Sequence, residues 1–302
     1  MMNSQIYWTL SLYLNNIKTK KQLKIFHENN NPDLKQISRL MLSTRTINTS
    51  SAKITEIMDA CIKHQISIII ITDPLYPENI KKIPDAPLLF FAKGNLSLLT
   101  NKCVSMIGTR NPSMVTLVYI KTLCTYFNKY SITTVSGYAR GCDLAVHKKS
   151  IGAGTIAVLP HGILIRNKNI AEHSNILYIS EYLPDFPPQK YTYIKRNRII
   201  AAFSSTTIFL EGGEKSGALT TLHAADRYNR KIWYLNHPLQ KNNNGIRQVM
   251  ILKSIDITFL FICTTKSDCR NNKQSDYIGN STFIKITFSD LYLKWILLAL
   301  QD

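Results

Sequence analysis

The residues best suited to chemistry in this chain are arginines and hydroxyls set beside glycines at the ends of apolar runs. In "MIGTRNPS", Gly108 closes such a run, Arg110 follows, and Pro112-Ser113 opens a helix-like segment. A strand-to-helix turn of this kind presents backbone N–H groups at a positive helix end, and a neighbouring guanidinium forks onto a phosphate. A plain tight turn with a surface arginine has the same spelling. In "TTVSGYARGCDLAVH", Ser136 and Gly137 precede Arg140, Gly141 and Asp143. The glycines permit close backbone approach, Arg140 offers a planar cation, and Asp143 accepts N–H groups at a helix start. Asp143 suits a structural pairing equally well, and His147 reads as a packed or surface residue rather than a catalytic base.

The third stretch, "YTYIKRNRIIAAFS", sets Lys195, Arg196 and Arg198 ahead of an apolar helix and interleaves them with Tyr191 and Tyr193. Cations that hold phosphates beside rings that stack on bases suit a single-stranded nucleic acid; a solvated basic helix start is the plain alternative. The fourth, "FLEGGEKSGALTT", opens a helix through Ser216, Gly217 and Thr220, whose hydroxyls and backbone N–H groups favour an anion. Neither a GxGxxG fingerprint nor a GxxxxGK[ST] loop occurs, so no dinucleotide or Walker-type ATP site is predicted. No Ser/His/Asp order or metal-ligand spacing stands out, and the expectation is a protein without cofactor, metal or catalytic residue.

These turns need strands to end on. Short apolar runs recur at 103–107, 132–135, 155–159, 176–180, 206–210, 231–235 and 257–261, separated by helix-period segments. Between the first two runs, Leu117, Ile120, Cys124 and Phe127 fall on one helical face. The pattern predicts an α/β fold of extended Rossmann-like type, a mostly parallel doubly wound sheet whose ligands bind at the carboxyl ends of its strands. Residues 1–65 read as a small helical N-terminal region and 66–262 as the binding domain. Within the latter, Pro74, Pro77, Pro84 and Pro87 impose an extended, turn-rich lead-in. Residues 263–302 read as a polar linker and a reduced C-terminal helical tail.

Over 302 residues the chain carries 37 Lys and Arg against 19 Asp and Glu, a net charge of +18, which favours a polyanionic partner, nucleic acid first and an anionic membrane surface second. Its richness in Lys, Asn and Ile makes part of that charge ordinary solvated surface. The six cysteines lack CxxC spacing and sit mostly in apolar runs, which fits a reducing cytoplasm. No run has the length of a bilayer span, and the N-terminus lacks the basic lead of a signal peptide.

With these turns in hand, the chain resembles the DNA-processing protein A (DprA/Smf) family. The likeness covers roughly residues 70–255 and rests on the order of "YPENIKKIPDAPLLFFAKGN", "IGTRNP", "VSGYARGCDLAVH", "GTIAVLPHGI", "SEYLP", "KRNRIIA" and "EGGEKSGALTT". It implies a Rossmann-like domain whose basic pocket binds single-stranded DNA, protection of incoming DNA in natural transformation, loading of RecA, and homodimers. Carried over, the pocket comprises Gly108, Arg110, Ser136, Gly137, Arg140, Gly141, Tyr193, Lys195, Arg196, Arg198, Ser216, Gly217 and Thr220. The chain departs from the family in lacking Tyr-Pro after "LPHG", in Tyr193-Ile194 for Phe-Pro, in Val115-Thr116 for Tyr-Gly, in Asn236-His237 for Pro-Gly, and in a winged-helix module reduced to "SDLYLKWILLALQD". Two other readings stand beside it: a nucleoside-monophosphate phosphoribohydrolase, whose late motif requires a Glu missing after Thr220, and a scaffold that no longer binds.

Overall fold

The computed structural model describes residues 4–16, 18, 51–165, 175–240, 243–252 and 254–256. A single nine-stranded sheet organises them, in the order β1-β2-β6-β5-β4-β3-β7-β8-β9. The strands are β1 (Ser67–Ile70), β2 (Leu89–Gly94), β3 (Cys103–Ile107), β4 (Thr133–Ser136), β5 (Thr155–Val158), β6 (Ile176–Ser180), β7 (Thr206–Phe209), β8 (Lys231–Tyr234) and β9 (Ser254–Asp256). From β6 through β9 every neighbour is parallel, while β1 and β2 add an antiparallel edge. The chain builds outward from β3 to β4, β5 and β6, then returns to lay β7 on the other side of β3. That reversal is the topological switch point of an open α/β sheet, where a crevice forms beyond the strand ends.

Six runs read from the sequence coincide with β3 to β8. The seventh, 257–261, lies outside the described residues, as does the tail 263–302, and the last described strand is the short β9.

The helices are α1 (Ser4–Leu14), α2 (Ser51–Lys63), α3 (Glu78–Lys81), α4 (Met114–Lys129), α5 (Cys142–Lys149), α6 (Lys190–Phe203), α7 (Ala218–Arg227) and α8 (Ile246–Ile251). Alternation along the strands feeds two layers. Val104 and Met106 of β3 and Ile208 of β7 pack with Ile120, Leu123, Cys124 and Phe127 of α4. Ile107, Val135 and Phe209 point the other way, onto Ile199, Ile200 and Phe203 of α6 and Leu219 and Leu222 of α7. The face predicted for α4 is therefore its buried face. A third core joins Leu10, Tyr13, Ile54 and Cys61 of α1 and α2 to Ile70, Leu89 and Phe91 of the antiparallel edge, so α1 and α2 are packed onto the sheet. Among the described residues no helix is long and apolar enough to cross a membrane.

Candidate nucleic-acid interface

The first turn leaves β3 at Ile107 and is clamped from two sides. Thr109 N donates to the Glu211 carbonyl (2.7 Å) and its own carbonyl accepts from Cys142 N (3.0 Å). Glu211, fully buried, accepts from both Ser113 N (2.9 Å) and Ser113 Oγ (2.8 Å), while Ser113 caps α4. The turns after β3, β4 and β7 are thus tied at the switch point, and Arg110 is left exposed on the rim.

Gly141 is required where these turns meet. Its φ is +89°, and a Cβ there would lie 2.5 Å from both the carbonyl carbon and oxygen of Arg110. Gly141→Ala is expected to destabilise the protein by about 2 kcal/mol or more, since strain and backbone collision add. Urea unfolding checks it, with a midpoint equal to wild type counting against the clamp.

A cavity of about 710 Å³ opens between these turns and α6. Of the residues expected from the sequence, Gly108, Arg110, Tyr193, Arg196, Ser216 and Gly217 line it. A second hollow of about 310 Å³ adjoins it and brings in Gly137 and Arg140; Arg110, Ala139 and Tyr193 border both. Arg110, Arg140 and Lys215 are exposed and form no ion pair among the described residues.

The basic segment departs from its sequence reading. Lys195, Arg196 and Arg198 do not precede the helix but lie inside α6, where positions one and two apart point in different directions. Arg196 is 5% exposed and reaches under the cavity, donating through Nη1 to the carbonyls of Gly137 and Val158 and through Nε to Asn197 Oδ1 (3.1 Å). Burial lowers its pKa to about 10, a shift the nearby Asp143 carboxylate opposes, so it stays charged at neutral pH. Asp143 in turn is pushed above the usual carboxylate range by burial, against the pull of Arg196 and of N–H donors such as Ala139 N (3.3 Å). Arg198 turns away from the cavity into a buried pairing with Glu181 and Asp85 (3.6 Å to the latter). Lys195 faces a different chamber on the far side of α6.

Ser136 and Thr220 are likewise not among the lining residues. Ser136 Oγ donates to the Met106 carbonyl (2.6 Å), binding β4 to β3. Thr220 Oγ1 accepts from Asn197 Nδ2 (2.6 Å) and donates to the Gly217 carbonyl (2.7 Å), and Thr221 takes its place on the wall. Sequence reasoning missed Asn197, Lys215, Asn244 and His161. Asn197, Lys215 and His161 sit inside motifs already singled out and could have been found there; Asn244 carried no local signal.

His147 is buried beneath the second turn with Nδ1 2.7 Å from Thr155 Oγ1. Burial first, and the charge of Arg196 second, lower its pKa to about 3. Between that value and the ordinary 6.5 the unfolded chain binds a proton the folded one refuses, so stability falls as pH drops through 6.5. The slope is at most about 1.4 kcal/mol per pH unit. Urea midpoints at pH 7 and pH 5 are expected to differ in wild type and to converge in His147→Asn.

Comparison with known proteins agrees with this architecture. The DNA processing protein DprA of Bacillus subtilis is 33% identical over 190 residues, 60% of this chain and 64% of that protein. The Streptococcus pneumoniae DprA is 33% identical over 171 residues, 54% and 60% of the two chains. The chain thus spans less than two thirds of the length of either relative. The solved structure of the Streptococcus pneumoniae protein superposes with a TM-score of 0.71 at 24% identity, covering 84% of this chain and 94% of that one. The structure reported for the single-stranded DNA binding mode of DNA processing protein A from Helicobacter pylori gives 0.57 at 25% identity, covering 64% and 91%. A family model described as DNA recombination-mediator protein A matches residues 67–254, most of the sheet and all of the cavity wall, and the chain belongs to that family.

Proposed function

We propose that this protein binds single-stranded DNA in the cavity at the carboxyl ends of β3, β4 and β7 and makes or breaks no bond in it. The observation that carries this reading is the grouping of Arg110 and Tyr193 on the shared border of two hollows, with Arg140 on one side and Lys215 on the other. Unpaired cations around an aromatic ring hold a backbone phosphate while a base stacks. The turn through Gly213, Ser216 and Gly217 adds an anion-favouring helix start at α7. Double-stranded DNA keeps its bases stacked and cannot offer one to Tyr193.

Two further supports come from relatives. The Helicobacter pylori protein is described with a single-stranded DNA binding mode, and the family is named for recombination mediation. On that basis the same proposal extends to protecting incoming strands and passing them to the RecA recombinase, with the protein acting as a dimer in the cytoplasm. In domain terms, 66–262 carries the binding function, helices α1 and α2 of the N-terminal region pack on it, and 263–302 is an accessory segment.

Anisotropy titration of labelled single- and double-stranded oligonucleotides across a salt series tests the core of this reading. The single strand should bind more tightly, with log affinity falling linearly against log salt. Equal affinity for both forms, or none at low salt, would sink it.

A further inference from the structure

The second hollow contains one side chain that the binding reading above leaves without a task. Arg110, Arg140 and Tyr193 border the hollow, and the turn after β5 adds His161 to its wall. No carboxylate is among its lining residues.

The imidazole is held in one orientation. Ser180 Oγ donates to the His161 carbonyl (2.7 Å), and Gly162 N donates to the Phe186 carbonyl (2.8 Å), so the backbone at the ring is fixed. The packing there is close, since a Cβ on Gly162 would lie 2.2 Å from the Pro184 carbonyl oxygen. Nδ1 of His161 is 2.9 Å from the Gly162 carbonyl oxygen. A carbonyl only accepts, so Nδ1 donates, and the neutral ring keeps its lone pair on Nε2. His161 is half-buried, and its Nε2 has no hydrogen-bond partner among the described residues and retains contact with solvent.

An acceptor in the same hollow as two cations sorts the parts of a nucleotide. Phosphodiester oxygens carry no proton and only accept, so they belong at the exposed guanidiniums of Arg110 and Arg140 and are turned away by the lone pair of Nε2. A nucleobase supplies the donor that Nε2 lacks, because each of the four carries an N–H on its Watson–Crick edge. The rest of the wall suits a flat ring: Leu159, Pro160 and Ala139 are apolar, and the half-buried Tyr193 is aromatic. At about 310 Å³ the hollow has the size of a small-ligand site.

We propose that His161 is a base-reading residue: a nucleobase lodges in the second hollow beside Tyr193, donates an N–H of its Watson–Crick edge to Nε2, and leaves its flanking phosphates at Arg110 and Arg140. The proposal rests on the single-stranded DNA reading and adds to it which part of the nucleotide faces inward. A base paired to a complementary strand has already given that N–H away. His161 therefore supplies a ground for preferring single strands that is independent of stacking.

The test compares oligo-dT with the same strand built from N3-methylthymine, in which a methyl group replaces the only N–H of the base. Both are titrated by anisotropy at mildly alkaline pH against wild type, His161→Asn, His161→Phe and Arg110→Ala. Wild type should bind oligo-dT about three- to tenfold more tightly than the methylated strand, the value of one hydrogen bond. His161→Asn keeps a donor for the Gly162 carbonyl but does not reach the Nε2 position, and His161→Phe keeps a ring without its nitrogens. In both, the ratio should fall to about one through weaker binding of oligo-dT, whereas Arg110→Ala should weaken both strands alike and preserve the ratio. In wild type, the nitrogen NMR resonance of His161 Nε2 should move on addition of oligo-dT and not of the methylated strand, a readout that needs no variant. A ratio of one in wild type, a wild-type ratio in either His161 variant, or an Nε2 resonance that responds equally to both strands overturns the base contact. The single-stranded DNA reading then stands if Arg110→Ala still weakens oligo-dT. If neither strand binds wild type at low salt, both fail.

Discussion

Arg110→Ala is expected to weaken binding of a single-stranded oligonucleotide about tenfold at moderate salt and to lower the log–log salt slope by about 0.7, the contribution of one neutralised phosphate on a single strand. Arg110 borders both hollows, so any strand that occupies either one passes it. The turn below it is held through Thr109, Gly141 and Glu211, by backbone atoms and by a carboxylate that the arginine side chain does not touch. Truncation should therefore leave the urea midpoint within error of wild type. Adding Arg140→Ala should lower the slope by a similar further amount. An unchanged slope in the double variant would place the phosphate path elsewhere.

Arg198→Met should do the opposite. The guanidinium side chain is 8% exposed and is shared between Glu181, whose side chain is 11% exposed, and Asp85. Its Nη1 also donates to the Asp85 carbonyl (2.9 Å). Removing one member of a buried pair leaves the other charge uncompensated, which costs about 3–5 kcal/mol. A comparable loss is a large share of the stability of an ordinary domain. Urea unfolding measures it, and a loss below about 1 kcal/mol, the usual value of an exposed pair, would mean that the pair is solvated. Among surviving folded molecules the salt slope of DNA binding should be that of wild type, because Arg198 does not reach the cavity. The contrast between two arginines, one lost from binding and one lost from folding, separates roles that the sequence writes with the same letter.

That contrast also marks how far the chain could be read before its structure. Runs such as Cys103–Ile107 and Thr206–Phe209 are legible because a strand covered on both faces is apolar along its length, and α4 because Ile120, Cys124 and Phe127 repeat on one face. The turns at Gly108, Gly141 and Gly217 are legible because a glycine or hydroxyl at a strand end has few other uses. Helix α6 is not. Its first two turns, "KYTYIKRN", lack an apolar stripe because they lie between two hollows and a buried ion pair, so each direction around the axis demands a different chemistry. The partners of Arg198 were invisible for another reason: Asp85 precedes it by more than a hundred positions, and only the antiparallel edge brings that loop alongside α6. His161 stood in plain view in "GTIAVLPHGI", yet nothing local says which of its ring nitrogens is left to accept. The tail from 263 onward was read from composition and lies outside the described residues.

Arg196 has a consequence beyond its place in the site. Its Nη1 joins the carbonyl ends of β4 and β5, and its Nε passes through Asn197 to the turn that opens α7. One side chain therefore ties three separate segments of the chain at the mouth of the cavity. A strand of DNA arriving there meets a rim whose conformational freedom has already been surrendered during folding, so little further ordering is required of the protein. The larger entropy loss on association falls on the nucleic acid, and affinity should respond more to stiffening the oligonucleotide than to stiffening the protein.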